Sequence, residues 1–153
     1  MRGAVDWLAA RGIGRIGLLG LSTGAEAVIT EAAGDPRVGA VIADGVQVRT
    51  AQDAAQSPEV LPLTWTAGAA IRAVSGERPP APLATLVPRL AATRPLLLVA
   101  TLAIERDLAP RYTAGTSATV WELPHSGHTQ GLADRPAEYA ARVSSALAAD
   151  GVG

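Results

Sequence analysis

The sequence predicts an α/β fold, a mostly parallel sheet of about four strands flanked by helices. Three observations carry that prediction. Short apolar runs of strand length recur at Arg15 to Leu21, Val38 to Ala43, Leu96 to Thr101 and Ala118 to Leu123. Segments with helical periodicity separate them and follow the last. The first run, Arg15 to Leu21, is near-continuously apolar without the polar alternation of a strand with one wet face, so it reads as buried on both faces, as in a parallel sheet.

Each element has its own signal. Val5 to Arg11 reads as a short helix with Val5, Leu8 and Ala9 on one face, ended by Gly12 and Gly14. The first strand follows directly, then a helix over Thr23 to Ala33 stopped by Gly34 and Pro36. Val38 to Ala43 is the second strand, closed by Asp44-Gly45, so strand, helix and strand make a connection of βαβ length. From Val46 to Arg94 the chain is proline-rich with weak helical periodicity around Leu63 to Val74 and Leu83 to Leu90. Residues 46–94 therefore read as a small helical insertion plus one crossover helix. Leu96 to Thr101 is the third strand. Ala118 to Leu123 alternates Val120 and Glu122 with Trp121 and Leu123, as an outer strand would. Pro124 to Gly131 is a loop. The last helix is expected to start with Asp134 as N-cap and Pro136 in its first turn, with Tyr139, Val143 and Leu147 along one face.

Composition narrows the function classes. A chain of 153 residues that is 48% hydrophobic is one domain in length, 1–153, and can bury a core. The formal net charge is −1 and the 13 basic residues, all arginine, form no run, which argues against nucleic acid as a partner. Zero cysteines exclude disulfides, thiolate catalysis and cysteine metal sites. The longest apolar run, Pro95 to Ile104, is short of the roughly 20 residues that span a bilayer, and the opening residues lack a signal peptide's order. The expectation is a cytoplasmic protein with no membrane association.

The chemistry concentrates where the first strand turns into the helix after it. Gly20-Leu21-Ser22-Thr23-Gly24 is G-x-S-x-G, which puts a serine on a sharp strand-to-helix turn with Gly20 and Gly24 supplying room. The start of that helix aims N–H groups and the positive end of its dipole at any anion formed beside Ser22. Gly17, Gly20 and Gly24 with Asp44 further on also suggest a dinucleotide-binding turn, but that fingerprint needs glycine where Ser22 stands. The other strand ends carry Glu105 and Asp107 after the third, His128 after the fourth, and Asp44 at the second. Of the two histidines, His125 and His128, spacing alone would also allow a metal pair, but it lacks a third ligand, and no metal is expected.

The order serine, acid, histidine on successive strand ends resembles the α/β-hydrolase superfamily. The likeness runs through Arg15-Ile-Gly-Leu-Leu-Gly-Leu-Ser-Thr-Gly, Asp35-Pro-Arg-Val-Gly-Ala-Val-Ile-Ala-Asp and Pro124-His-Ser-Gly-His-Thr-Gln-Gly-Leu, the last similar to the Gly-His loop of these enzymes. Its dienelactone-hydrolase and prolyl-oligopeptidase branches are the nearest in pattern. The insertion over residues 46–94 stands in the place where the family carries a helical cap. The strands that precede the elbow in that family, with the loop giving a second oxyanion donor, have no counterpart upstream of Ser22. The resemblance therefore implies a C-terminal half, an α/β-hydrolase fold truncated on its N-terminal side.

The resemblance implies Ser22 as nucleophile, His128 as base, and the Thr23 backbone N–H as an oxyanion donor. Glu105 is favoured as the acid by its distance from the strand end, with Asp107 and Asp44 as alternatives. Trp65 is a candidate substrate-pocket residue. No cofactor is implied. The expected activity is serine hydrolysis of a small-molecule ester or peptide-like substrate. The alternative is a silent fragment that associates through an exposed sheet edge, as a homodimer or with a complementary N-terminal half.

Overall fold

Four parallel strands lie in the order β1-β2-β3-β4, each paired with the next in sequence. The computed structural model describes residues 1–55, 66, 69–70, 73–74, 76 and 80–149. Along the chain come α1 (Arg2–Ala9), β1 (Ile16–Leu21), α2 (Thr23–Gly34), β2 (Val38–Asp44), α3 (Ala51–Ala54), α4 (Leu83–Ala91), β3 (Leu96–Ala100), α5 (Ala103–Thr113), β4 (Thr119–Glu122), α6 (Gly131–Asp134) and α7 (Pro136–Ala148). The α/β fold class expected from the apolar runs is therefore the one observed. Most of the expected insertion, with Trp65, lies outside the described residues.

Strand alternation divides the core in two. Val41 and Ala43 of β2 and Leu96, Leu98 and Ala100 of β3 face one side, where Val5, Val28, Ile29, Leu83, Val87 and Leu108 from α1, α2, α4 and α5 cover them. Ile42, Leu97 and Val99 face the other, where they meet Trp121, Leu123 and Tyr139, with Val143 and Leu147 of α7 packed alongside. Every residue of β2 and β3 is buried, which is why their sequences run apolar without interruption. β1 contradicts the expectation that its run is buried on both faces: it is an edge strand among the described residues, with no strand beyond it to cover that side, and its Leu19 and Leu21 are 46% and 47% exposed.

Two boundaries depart from expectation. α1 starts at Arg2, three residues before Val5. Asp134 does not cap the last helix: it ends the short α6, Arg135 takes the cap position, and Pro136 opens α7 at a site where its missing N–H costs nothing.

All four strands run the same way, so their C-terminal ends gather on one rim. Asp44 closes β2, and Ser22, Thr101 and the loop that carries His128 follow the ends of β1, β3 and β4.

Candidate active site

The elbow forms because three local features agree. Ser22 takes φ 53 and ψ −124, a conformation that costs an L-residue about 1–3 kcal/mol and persists only when its surroundings impose it. Its N–H donates to the Asp44 carbonyl at 2.8 Å, and its carbonyl accepts from Ala25 N at 2.8 Å, so strand and helix grip it from both sides. Gly20 is required because the strand passes directly beneath the first turn of α2: a methyl group there would run into the Gly24 carbonyl and lie 2.8 Å from Ala25 N. Gly24 contradicts the expectation that both glycines make room. A methyl on Gly24 meets nothing within 4 Å, so its part is to be the backbone that Gly20 admits.

Three of the expected side chains come together. His128 Nε2 lies 2.9 Å from Ser22 Oγ, and His128 Nδ1 lies 2.7 Å from Glu105 Oε1. An ionised carboxylate only accepts, so Nδ1 carries the proton and Nε2 is left to accept from the Ser22 hydroxyl. His128 sits on the loop after β4, tied by Leu123 N to the Ala100 carbonyl at 2.8 Å and by Gln130 N to the Gly127 carbonyl at 3.0 Å. Thr129 beside it holds φ 56 and donates its hydroxyl to the His128 carbonyl at 2.7 Å. Among the described residues, Ser22 and Thr129 are the two non-glycine residues with positive φ, and both flank the same imidazole.

Glu105 is fully buried and surrounded by donors. Its Oε2 accepts from Thr101 N (2.8 Å), the Thr101 hydroxyl (2.9 Å) and Leu102 N (3.0 Å), and its Oε1 from Gln47 Nε2 (3.2 Å) as well as from His128. Burial pushes this carboxyl up, but the hydrogen bonds from Thr101, Leu102 and Gln47 outweigh it and hold Glu105 below its ordinary value. Glu105 thus stands ionised beside the imidazole. The sequence reads it as lying past the end of the third strand; it is in the first turn of α5 and accepts from Leu102 N. Gln47 and Thr101 were not anticipated. Thr101 had a signal, a hydroxyl just before a helix with Glu in its first turn, whereas Gln47 had none.

The other candidates stand elsewhere. Asp107, two residues on, faces solvent and pairs with Arg111 at 2.6 Å. Asp44 is fully buried, its Oδ2 accepting from the Tyr139 hydroxyl at 3.0 Å while Oδ1 has no hydrogen-bond partner among the described residues. Burial raises the Asp44 carboxyl despite that hydroxyl, and the Glu105 charge adds to the rise. His125 is exposed on the loop three residues before His128. Among the described residues no group of three or more His, Asp and Glu is arranged to hold a metal ion. Thr23 opens α2, so its N–H is one of those a helix leaves without an internal partner, adjacent to Ser22. None of the described helices is long and apolar enough to cross a membrane.

No protein-family model matches the chain. None of the curated proteins matches it either. Among solved structures it is similar to the Pyrococcus furiosus esterase Pf2001 in three crystal forms. In space group P212121 the TM-score is 0.63 at 19% identity over 94% of this chain and 58% of that one. In P21 it is 0.62 at 18% over 96% and 59%, and in C2221 it is 0.60 at 17% over 95% and 58%. The chain thus spans less than two thirds of the length of the esterase it resembles. What the likeness carries is the fold, an esterase-like α/β arrangement of parallel strands and covering helices.

Proposed function

We propose that this chain carries the nucleophile, base and acid of a serine hydrolase that cleaves an ester or related acyl bond. The hydrogen-bonded series Ser22, His128, Glu105 is the observation that supports it. Ser22 Oγ attacks the substrate carbonyl carbon while His128 Nε2 takes the hydroxyl proton, and the C–O π electrons move onto the carbonyl oxygen. The Thr23 N–H and the start of α2 face that oxyanion. Collapse of the tetrahedral adduct breaks the bond to the leaving alcohol, which receives the proton from His128. Water then repeats the sequence on the acyl-Ser22 ester and releases the acid. Glu105 keeps the imidazole in the needed tautomer and stabilises its cationic form.

The esterase among the structural neighbours supports an ester as substrate. The loop around His128, similar in pattern to dienelactone hydrolases and prolyl oligopeptidases, keeps lactones and peptides in the same substrate class. Hydrolysis of short-chain p-nitrophenyl esters tests the proposal. An initial burst of one p-nitrophenol per chain, followed by slower turnover and absent in Ser22→Ala, is expected; equal rates in Ser22→Ala and the parent chain would refute it.

A second reading has its own observation. β1 carries exposed Leu19 and Leu21 at the edge of the sheet, the kind of edge that pairs with another strand. In this reading the chain is silent alone and associates through β1, with a second copy or with a complementary N-terminal half.

A further inference from the structure

One dipeptide touches the supports of all three reacting side chains. Asp44 and Gly45 close β2. The Asp44 carbonyl accepts from Ser22 N at 2.8 Å and so holds the elbow. Gly45 N donates to the Val99 carbonyl at 3.0 Å, fastening it to β3, which runs on into the Thr101 groups that grip Glu105. Against the third partner the contact is steric. A methyl group on Gly45 would lie 2.7 Å from His128 Cε1, 3.1 Å from His128 Nδ1 and 3.0 Å from Thr129 Cγ2. The imidazole cannot retreat from such a group without lengthening its bond to Glu105 or to Ser22.

We infer that the Asp44-Gly45 strand end is a positioning device that fixes the elbow and the imidazole relative to each other, with the bare Cα of Gly45 as the seat of His128. The inference rests on the reading of Ser22 and His128 as nucleophile and base. Gly45 also needs its φ of +82, and a substitution there would be strained on backbone grounds alone. Gly12 separates the two effects. It has the same φ of +82 with nothing within 4 Å of a methyl group.

The test compares Gly45→Ala with Gly12→Ala. Both variants suffer the same backbone strain, and Gly45→Ala, which adds the clash with His128 and Thr129, is expected to lose more thermal stability than Gly12→Ala. In Gly45→Ala alone, kcat for ester hydrolysis falls about 10²-fold with KM little changed, the response to a reactive group displaced by about 1 Å. A readout independent of turnover is the proton resonance of His128 Nδ1–H, which its bond to Glu105 places far downfield. It persists in Gly12→Ala and is lost or moved upfield in Gly45→Ala. Should Gly45→Ala fail to fold, the double variant Gly45→Ala/Thr129→Gly gives the loop room, and its resonance is compared with that of Thr129→Gly. An unshifted resonance in the Gly45 variants overturns the inference. Absence of ester hydrolysis in every protein, the parent included, refutes the enzymatic reading while the resonance still decides the seat.

Discussion

At the scale of single residues, the proposed acid is distinguished by what surrounds each carboxylate. Glu105 is buried yet ionised because Thr101, Leu102 and Gln47 present donors to it, and it directs its remaining capacity at His128. Glu105→Gln leaves buried donors facing an amide and weakens the imidazolium. A fall in kcat of about 10⁴-fold is expected in steady-state ester hydrolysis. Asp107→Asn removes only an exposed ion pair with Arg111 and is expected to stay within about twofold of the parent. Because Glu105 is held below its unfolded value, it contributes stability above the ordinary glutamate range and loses it as the pH falls through its lower folded value. Asp44 has the opposite sign. Its raised carboxyl favours the folded state at low pH, and that contribution is lost as the pH rises through the raised value. Asp44→Asn keeps an acceptor for Tyr139, so urea melts at pH 8 should show equal or higher stability with activity retained. A loss as large as that of Glu105→Gln would transfer the acid's role to Asp44.

At the scale of elements, the elbow is where sequence and structure agree most closely, because its constraints are local. Gly20, Ser22 and the first turn of α2 lie within six residues, and the turn follows from their sizes and backbone conformations. Gly20→Ala forces the strand away from the Gly24 carbonyl, and thermal or urea unfolding should show a loss of roughly 3 kcal/mol or more. Gly24→Ala, with open space at its Cβ, is expected to cost far less. The strands were legible for the same reason: β2 and β3, buried on both faces, leave uninterrupted apolar runs. What escaped the sequence was non-local. Gln47 meets Glu105 across 58 positions and the Tyr139 hydroxyl meets Asp44 across 95. No periodicity records a contact between a loop and a helix that far apart, and Tyr139 read only as one residue of an apolar stripe. Helix ends were misjudged where a neighbouring turn competed, as where the short α6 claims Asp134.

At the scale of the molecule, the sheet is unevenly covered. α7 packs over β2 and β3 with Trp121 and Leu123, leaving Leu19 and Leu21 of β1 beyond its reach. Sedimentation equilibrium of the parent chain should show an apparent mass rising above 15.5 kDa with concentration, and Leu19→Lys/Leu21→Lys should hold it at the monomer value without disturbing the elbow. A parent chain that stays monomeric throughout removes the edge as an association surface. The proposed chemistry, however, depends on one contact, the 2.9 Å between His128 Nε2 and Ser22 Oγ across which the imidazole would activate the hydroxyl. Its most direct measurement is covalent labelling with a fluorophosphonate, read by mass spectrometry of the modified peptide. The expected result is an adduct on Ser22, none on Ser22→Ala, and labelling slowed by orders of magnitude in His128→Ala. A folded chain that takes no label, or labels equally fast without the imidazole, would contradict it.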